Sequence, residues 1–110
     1  MAFGSIGIVI SPKEIIIDIT VKVTYKEDIG AEEKNNILGQ IKQTIYNYID
    51  NLSIAEGLNA LSLQTEIVNV SNKISAFEVS LFNINGSKSY FNDISCKWNE
   101  QIQPGLIEAI

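Results

Sequence analysis

Between Glu32 and Leu52 the apolar side chains fall at Ile37, Ile41, Ile45, Tyr48 and Leu52, flanked by Leu38 and Ile49. Steps of three and four residues keep such a series on one side of a 3.6-residue helix, whereas a strand would need alternation. The other side carries Lys34, Asn35, Gln40, Lys42, Gln43 and Asn47, and is expected to meet water. Glu32 and Glu33 stand in the first turn, where carboxylates suit the positive end of the helix dipole. Burying each large aliphatic side chain is worth roughly 1.5–3 kcal/mol. A one-sided helix of this kind therefore demands an apolar surface opposite, and strands elsewhere must supply it.

The clearest strand pattern runs from Lys13 to Lys26. Ile15, Ile17, Ile19, Val21, Val23 and Tyr25 share one face, and Asp18, Thr20, Lys22 and Thr24 the other. A second alternation, from Ile74 to Ile84, places Phe77, Val79 and Leu81 together and puts Phe82 on the opposite face. Asn85-Gly86 ends it in a turn. A third strand is expected over Asp93 to Trp98, with Ile94, Cys96 and Trp98 in phase. Ser62 is placed to cap a short helix from Leu63 to about Val70, with Leu63, Ile67 and Val70 on one face. These elements predict one α+β domain over residues 1–110: a mainly antiparallel sheet of three to four strands, with two helices packed on one face.

Two terminal segments stand apart from that core. Ser5 to Ile10, an Ile/Val-rich run with Ile6, Ile8 and Ile10, is broken by Gly7 and followed at once by Pro12, which reads as a short edge strand or an arm reaching toward a neighbour, and Leu106, Ile107 and Ile110 follow Pro104-Gly105. Residues 1–11 and 104–110 are therefore expected to be interacting arms. Phe82, the run Tyr90-Phe91 and Trp98 either extend the same interface, since contiguous exposed apolar groups mark partner sites, or pack inside the one domain.

The 110 residues include no histidine, which removes the commonest general base near neutral pH and the commonest imidazole ligand. The lone Cys96 reads as a small buried hydrophobe with no base to activate it. Glu27, Asp28, Glu32 and Glu33 lack the spacing of a calcium loop, and Gly4-x-x-Gly7 precedes no helix and carries no Lys-Ser/Thr. No catalytic residue, cofactor or metal site is therefore expected, and the chain is not read as an enzyme. A net charge of −5, with eight scattered Lys and Arg, argues against nucleic acid as a partner. No apolar run approaches the ~20 residues that span a bilayer, and the N-terminus lacks the basic region of a signal peptide, so neither signal nor membrane insertion is expected.

The order of these pieces resembles the C-terminal domain of the phage baseplate J-like family. The resemblance is carried by Val21-Lys22-Val23-Thr24-Tyr25, then by Ile45-Tyr46-Asn47-Tyr48-Ile49-Asp50-Asn51-Leu52. Gly57, Leu61-Ser62-x-x-x-Glu66-Ile67, the strand from Ile74, and Asn92-Asp93-Ile94-Ser95-Cys96-Lys97-Trp98-Asn99-Glu100 complete it. It runs from about Pro12 to Glu100 and lies in the order and spacing of packing motifs. It implies a structural protein of the baseplate wedge in a contractile phage tail, tailocin or related injection machine. Such a protein is made in the host bacterial cytoplasm and located in the virion. Its implied partners are copies of itself, as a homo-oligomer, and other baseplate proteins of a hetero-oligomeric wedge. Another small tail component, a terminator or connector, is the alternative, and a small-molecule-binding domain a more distant one.

Overall fold

The structure is a computed structural model that describes residues 12–110, so the segment from Ser5 to Ile10, with Ile6, Ile8 and Ile10, lies outside the described residues. Six elements follow in order: β1 (Lys13–Tyr25), α1 (Ala31–Asp50), α2 (Ala60–Val68), β2 (Ile74–Ile84), β3 (Ser87–Lys88) and β4 (Glu100–Ala109). They form an α+β fold whose four-stranded sheet has the order β3-β2-β1-β4. The β1–β2 and β2–β3 pairs are antiparallel, and β4 runs parallel to β1.

β1 is the inner strand its alternation calls for. Ile15, Ile17, Ile19, Val21 and Val23 are all buried, and both helices lie over this face. From α1 the buried row is Ile37, Ile41, Ile45 and Ile49, an i±4 ridge of the kind that packs into a facing groove. Ile49, expected at the flank, is thus central, and Tyr48 is half-buried beside α2. Gly30, in extended conformation and without a side-chain cap, begins α1, and Glu33 of its first turn holds the Lys73 ammonium at 2.6 Å. α2 starts at Ala60, three residues before the helix expected from Leu63. Asn59, not Ser62, is its cap: Asn59 Oδ1 accepts from the Ser62 backbone N–H at 2.9 Å. Leu63 and Ile67 close the core beneath it.

Both neighbours of β1 contain extra residues that reset their phase, Ser75 and Ser80 in β2 and one around Gly105 in β4. In β2 the register passes from Thr20↔Leu81 to Val21↔Val79, so Ser80 is bulged, and its hydroxyl donates to the Thr20 carbonyl at 3.3 Å. Side chains on either side of a bulge lose strict alternation. Phe77, Val79, Phe82 and Ile84 consequently all pack against the core, and Leu81, expected with Phe77, is exposed instead. In β4 the partners pass from Ile17↔Pro104 to Ile19↔Ile107, which lets Ile102 and Ile107 both be buried despite their odd separation. Asp18 holds this second bulge by accepting the Leu106 N–H at 2.8 Å. A Cβ at Gly105 would collide with that same carboxylate and meet the Ile17 carbonyl oxygen at 3.0 Å, so the bulge requires a glycine.

Two expectations are corrected here. Residues 104–110 are not an arm but most of an edge strand, closed by reciprocal bonds in which Ile110 N–H donates to Val21 O (2.8 Å) and Val23 N–H to Ile110 O (2.9 Å). Pro104 does not interrupt the strand because it sits on the sheet edge beside a bulge, where a missing N–H is tolerated. Nor do Asp93 to Trp98 form a strand. Ile94 makes an isolated bridge with Leu58, through bonds of 2.9 and 3.0 Å, and Asp93 Oδ1 accepts the Ala60 N–H at 2.8 Å at the start of α2. Gly57 permits that approach, since a Cβ there would lie 2.5 Å from Ile94 O.

Asn85 and Gly86, both at positive φ, make the two-residue turn between β2 and β3, and Asn85 also binds β1 at Ile16 with its backbone N–H and its Oδ1, each at 2.8 Å. Because Ile45 is fully buried at the centre of the α1 ridge, Ile45→Ala is expected to cost about 2–5 kcal/mol in urea unfolding. A loss below about 1 kcal/mol would place that ridge outside the core.

Candidate assembly surfaces

The two edges of the sheet differ in how they are covered. β3 pairs only with Asn83 and Ile84, so the outer edge of β2 from Ile74 to Leu81 has no strand partner among the described residues. Within it, register shifts beside Ser75 and Ser80 leave Ala76 to Val79 as the regular stretch. These four residues, with Leu61, Gln64, Thr65 and Val68 of α2 and with Phe91, line an open groove of about 560 Å³. Its rim is apolar: Leu61 is 71% exposed, and Val68 is exposed as well.

At the other edge, β4 has no strand on its outer side among the described residues. The loop after α1 covers its start, where Ala55 N–H donates to Glu100 O at 2.7 Å and the Gln101 amide nitrogen donates to Leu52 O at 3.2 Å. Farther along, Leu106 (62% exposed) and Ile107 join Gly39, Lys42, Gln43 and Tyr46 of α1 in a second groove of about 460 Å³. Ile110, 59% exposed, lies beyond it.

The residues expected at an interface are thus divided. Trp98, Leu106 and Ile110 are exposed, but Phe82 is only 3% exposed, and Ile107, though it lines the β4 groove, is buried. The Ser80 bulge turns Phe82 inward, where the half-buried Phe91 packs edge-on to it with ring centres 5.4 Å apart. Sequence reasoning missed Leu61, Val68 and Tyr46. Leu61, Thr65 and Val68 follow one another at i, i+4 and i+7, a second stripe on α2 that becomes visible once the helix is begun at Ala60.

Among the described residues no three His, Cys, Asp or Glu side chains gather as a metal site, and no helix is long and apolar enough to cross a membrane. The hydrogen bond to Glu33 raises the Lys73 ammonium above its ordinary range, as a surface pair does. Burial raises the phenol of Tyr25, whose hydroxyl has no partner among the described residues and whose ring faces the Lys34 ammonium at 5.6 Å. Burial also pushes the Cys96 thiol up, and the Glu100 carboxylate adds to that shift.

Compared with protein-family models and with curated proteins, the chain matches none.

A raised thiol pKa means less thiolate at neutral pH, and the thiolate is the reacting species. Cys96 is expected to react with an aromatic disulfide reagent several-fold more slowly in the folded chain than in urea at pH 7, the gap narrowing as pH rises past 9. Equal rates at pH 7 would contradict the half-buried placement.

Proposed function

We propose that this chain is a non-enzymatic assembly protein of a contractile phage-type tail, a baseplate wedge domain that joins copies of itself and other baseplate proteins in the virion. It works by surface complementarity and by edge contacts between sheets, without nucleic acid and without insertion in a membrane. The observation that carries this reading is the placement of exposed apolar side chains at both edges of the sheet. Leu61 and Val68 flank the open edge of β2, and Tyr46, Leu106 and Ile110 flank that of β4. Unpaired edges bordered by apolar groups are liabilities in a free monomer and contact sites in an assembly. The order of elements from β1 through α1 and α2 to β2 supports it too, being the order that underlies the resemblance to the baseplate J-like family, although the closing segment Asn92 to Glu100 of that resemblance is not a strand and the last long strand begins only at Glu100.

Sedimentation of the full chain, alone and mixed with the other wedge proteins of its own tail, tests the reading. A concentration-dependent oligomer or a stable complex is expected. Leu106→Asp should weaken the contact made at the β4 edge while leaving the circular dichroism spectrum unchanged, since Leu106 is exposed. A chain that stays monomeric, binds none of those proteins and instead gains thermal stability with a metabolite would overturn the proposal.

A further inference from the structure

The regular part of the open β2 edge, Ala76 to Val79, is also the β2 wall of the groove beneath α2. A strand added there would place alternate side chains into the groove, over Phe77 and Val79 and beside Leu61 and Val68, and the others on the uncovered face of the sheet beside Glu78. The chain carries one segment with that pattern outside the described residues. In Ser5-Ile6-Gly7-Ile8-Val9-Ile10, three isoleucines alternate with Ser, Gly and Val. The isoleucines suit the apolar groove, and the small residues suit the open face.

The segment cannot occupy the edge of its own chain. Lys13 lies eight residues along β1 from Val21, the partner of Val79, a distance of roughly 26 Å at the rise of a strand. Ile10 is three residues from Lys13, and so within about 10 Å of it even when fully extended. Ile6, seven residues away, reaches about 25 Å, before the sideways step of two strand spacings, near 10 Å, is counted. Moreover, β3 already takes the part of the β2 edge closest to Pro12, at Asn83 and Ile84. A second copy of the chain has no such constraint.

We infer that Ser5 to Ile10 of one copy adds as a strand to the Ala76–Val79 edge of a second copy, with Ile6, Ile8 and Ile10 filling the groove between β2 and α2. This rests on the reading of the chain as an assembly protein and names its self-contact. Donor and acceptor are different surfaces, so each copy offers one of each.

The test uses the full chain with Cys96→Ser, in which Gly7→Cys and Glu78→Cys are placed singly in two preparations and together in a third. Both positions project on the uncovered face in this arrangement. Under mild oxidation the mixed single variants are expected to form a disulfide-linked pair of one copy of each, and the double variant is expected to link between chains rather than within one. In the natural sequence, Ile8→Asp is expected to weaken self-association in sedimentation by roughly tenfold to a hundredfold, the range for losing one buried aliphatic anchor. Closure of the double variant within a single chain, or absence of the mixed pair, overturns the inference. If the chain self-associates and Ile8→Asp leaves that unchanged, this contact is wrong while the assembly reading stands. If the chain is monomeric, this contact is wrong, and binding to the other wedge proteins decides the assembly reading separately.

Discussion

The aliphatic face of β1 against the isoleucine ridge of α1 is the contact on which the rest of the structure depends. Ile17, Ile19 and Val21 on the strand and Ile41, Ile45 and Ile49 on the helix are all fully buried. Because side chains alternate strictly along β1, its register dictates which residues of each neighbouring strand can reach the same core. Both neighbours meet that demand with a bulge rather than with an unbroken pattern, at Ser80 in β2 and around Gly105 in β4. The inward sets Phe77, Val79, Phe82 and Ile84, and Ile102 and Ile107, exist only because of those extra residues. The Asp18 carboxylate, on the far face of β1, accepts from the β4 bulge, and the Thr20 main-chain carbonyl accepts from the hydroxyl of the bulged Ser80, so β1 itself holds these irregularities.

Elements whose pattern is set by a single period were legible in the sequence. The alternation of β1, the three-and-four spacing of α1 and the Asn-Gly turn after β2 each have one physical reading, and the α+β architecture with helices on the Ile15–Val21 face follows from them. What escaped depended on contacts distant in sequence. A bulge is invisible in a strand read alone, since it takes the register with Thr20 and Val21 to show that Ser80 is extra, and so Phe82 read as facing outward. Pro104-Gly105 reads as a break until the strand is known to lie on an edge, with Asp18 waiting for the Leu106 N–H. Asp93 to Trp98 alternates as a strand does, but its Asp93 is engaged with the backbone of α2 and its Ile94 with Leu58.

The same partition bears on the surfaces. The candidate interface residues were found from apolar runs, which locate side chains but not exposure; among the described ones Phe82 and Ile107 belong to the core, and Trp98, Leu106 and Ile110 do not. The more informative feature is the shortness of β3, which leaves most of β2 open beside an apolar helix stripe. Sheets in monomeric proteins protect such edges with charge, proline or bulges. Here bulges bracket Ala76 to Val79, and the four residues between them remain regular and bordered by Leu61, Val68 and Phe91. The stable interior is gathered around β1, and the proposed assembly would complete the incomplete sheet edge with a neighbour.

Amide hydrogen exchange of the full chain, measured across a range of concentrations that spans its self-association, tests that division most directly. The account predicts slow exchange along Ile15 to Val23 and along α1 from Ile37 to Ile49 at every concentration, with Ala76 to Val79 gaining protection as copies associate. Fast exchange of the β1 core in the monomer, or protection of Ala76 to Val79 that does not change with concentration, would contradict it.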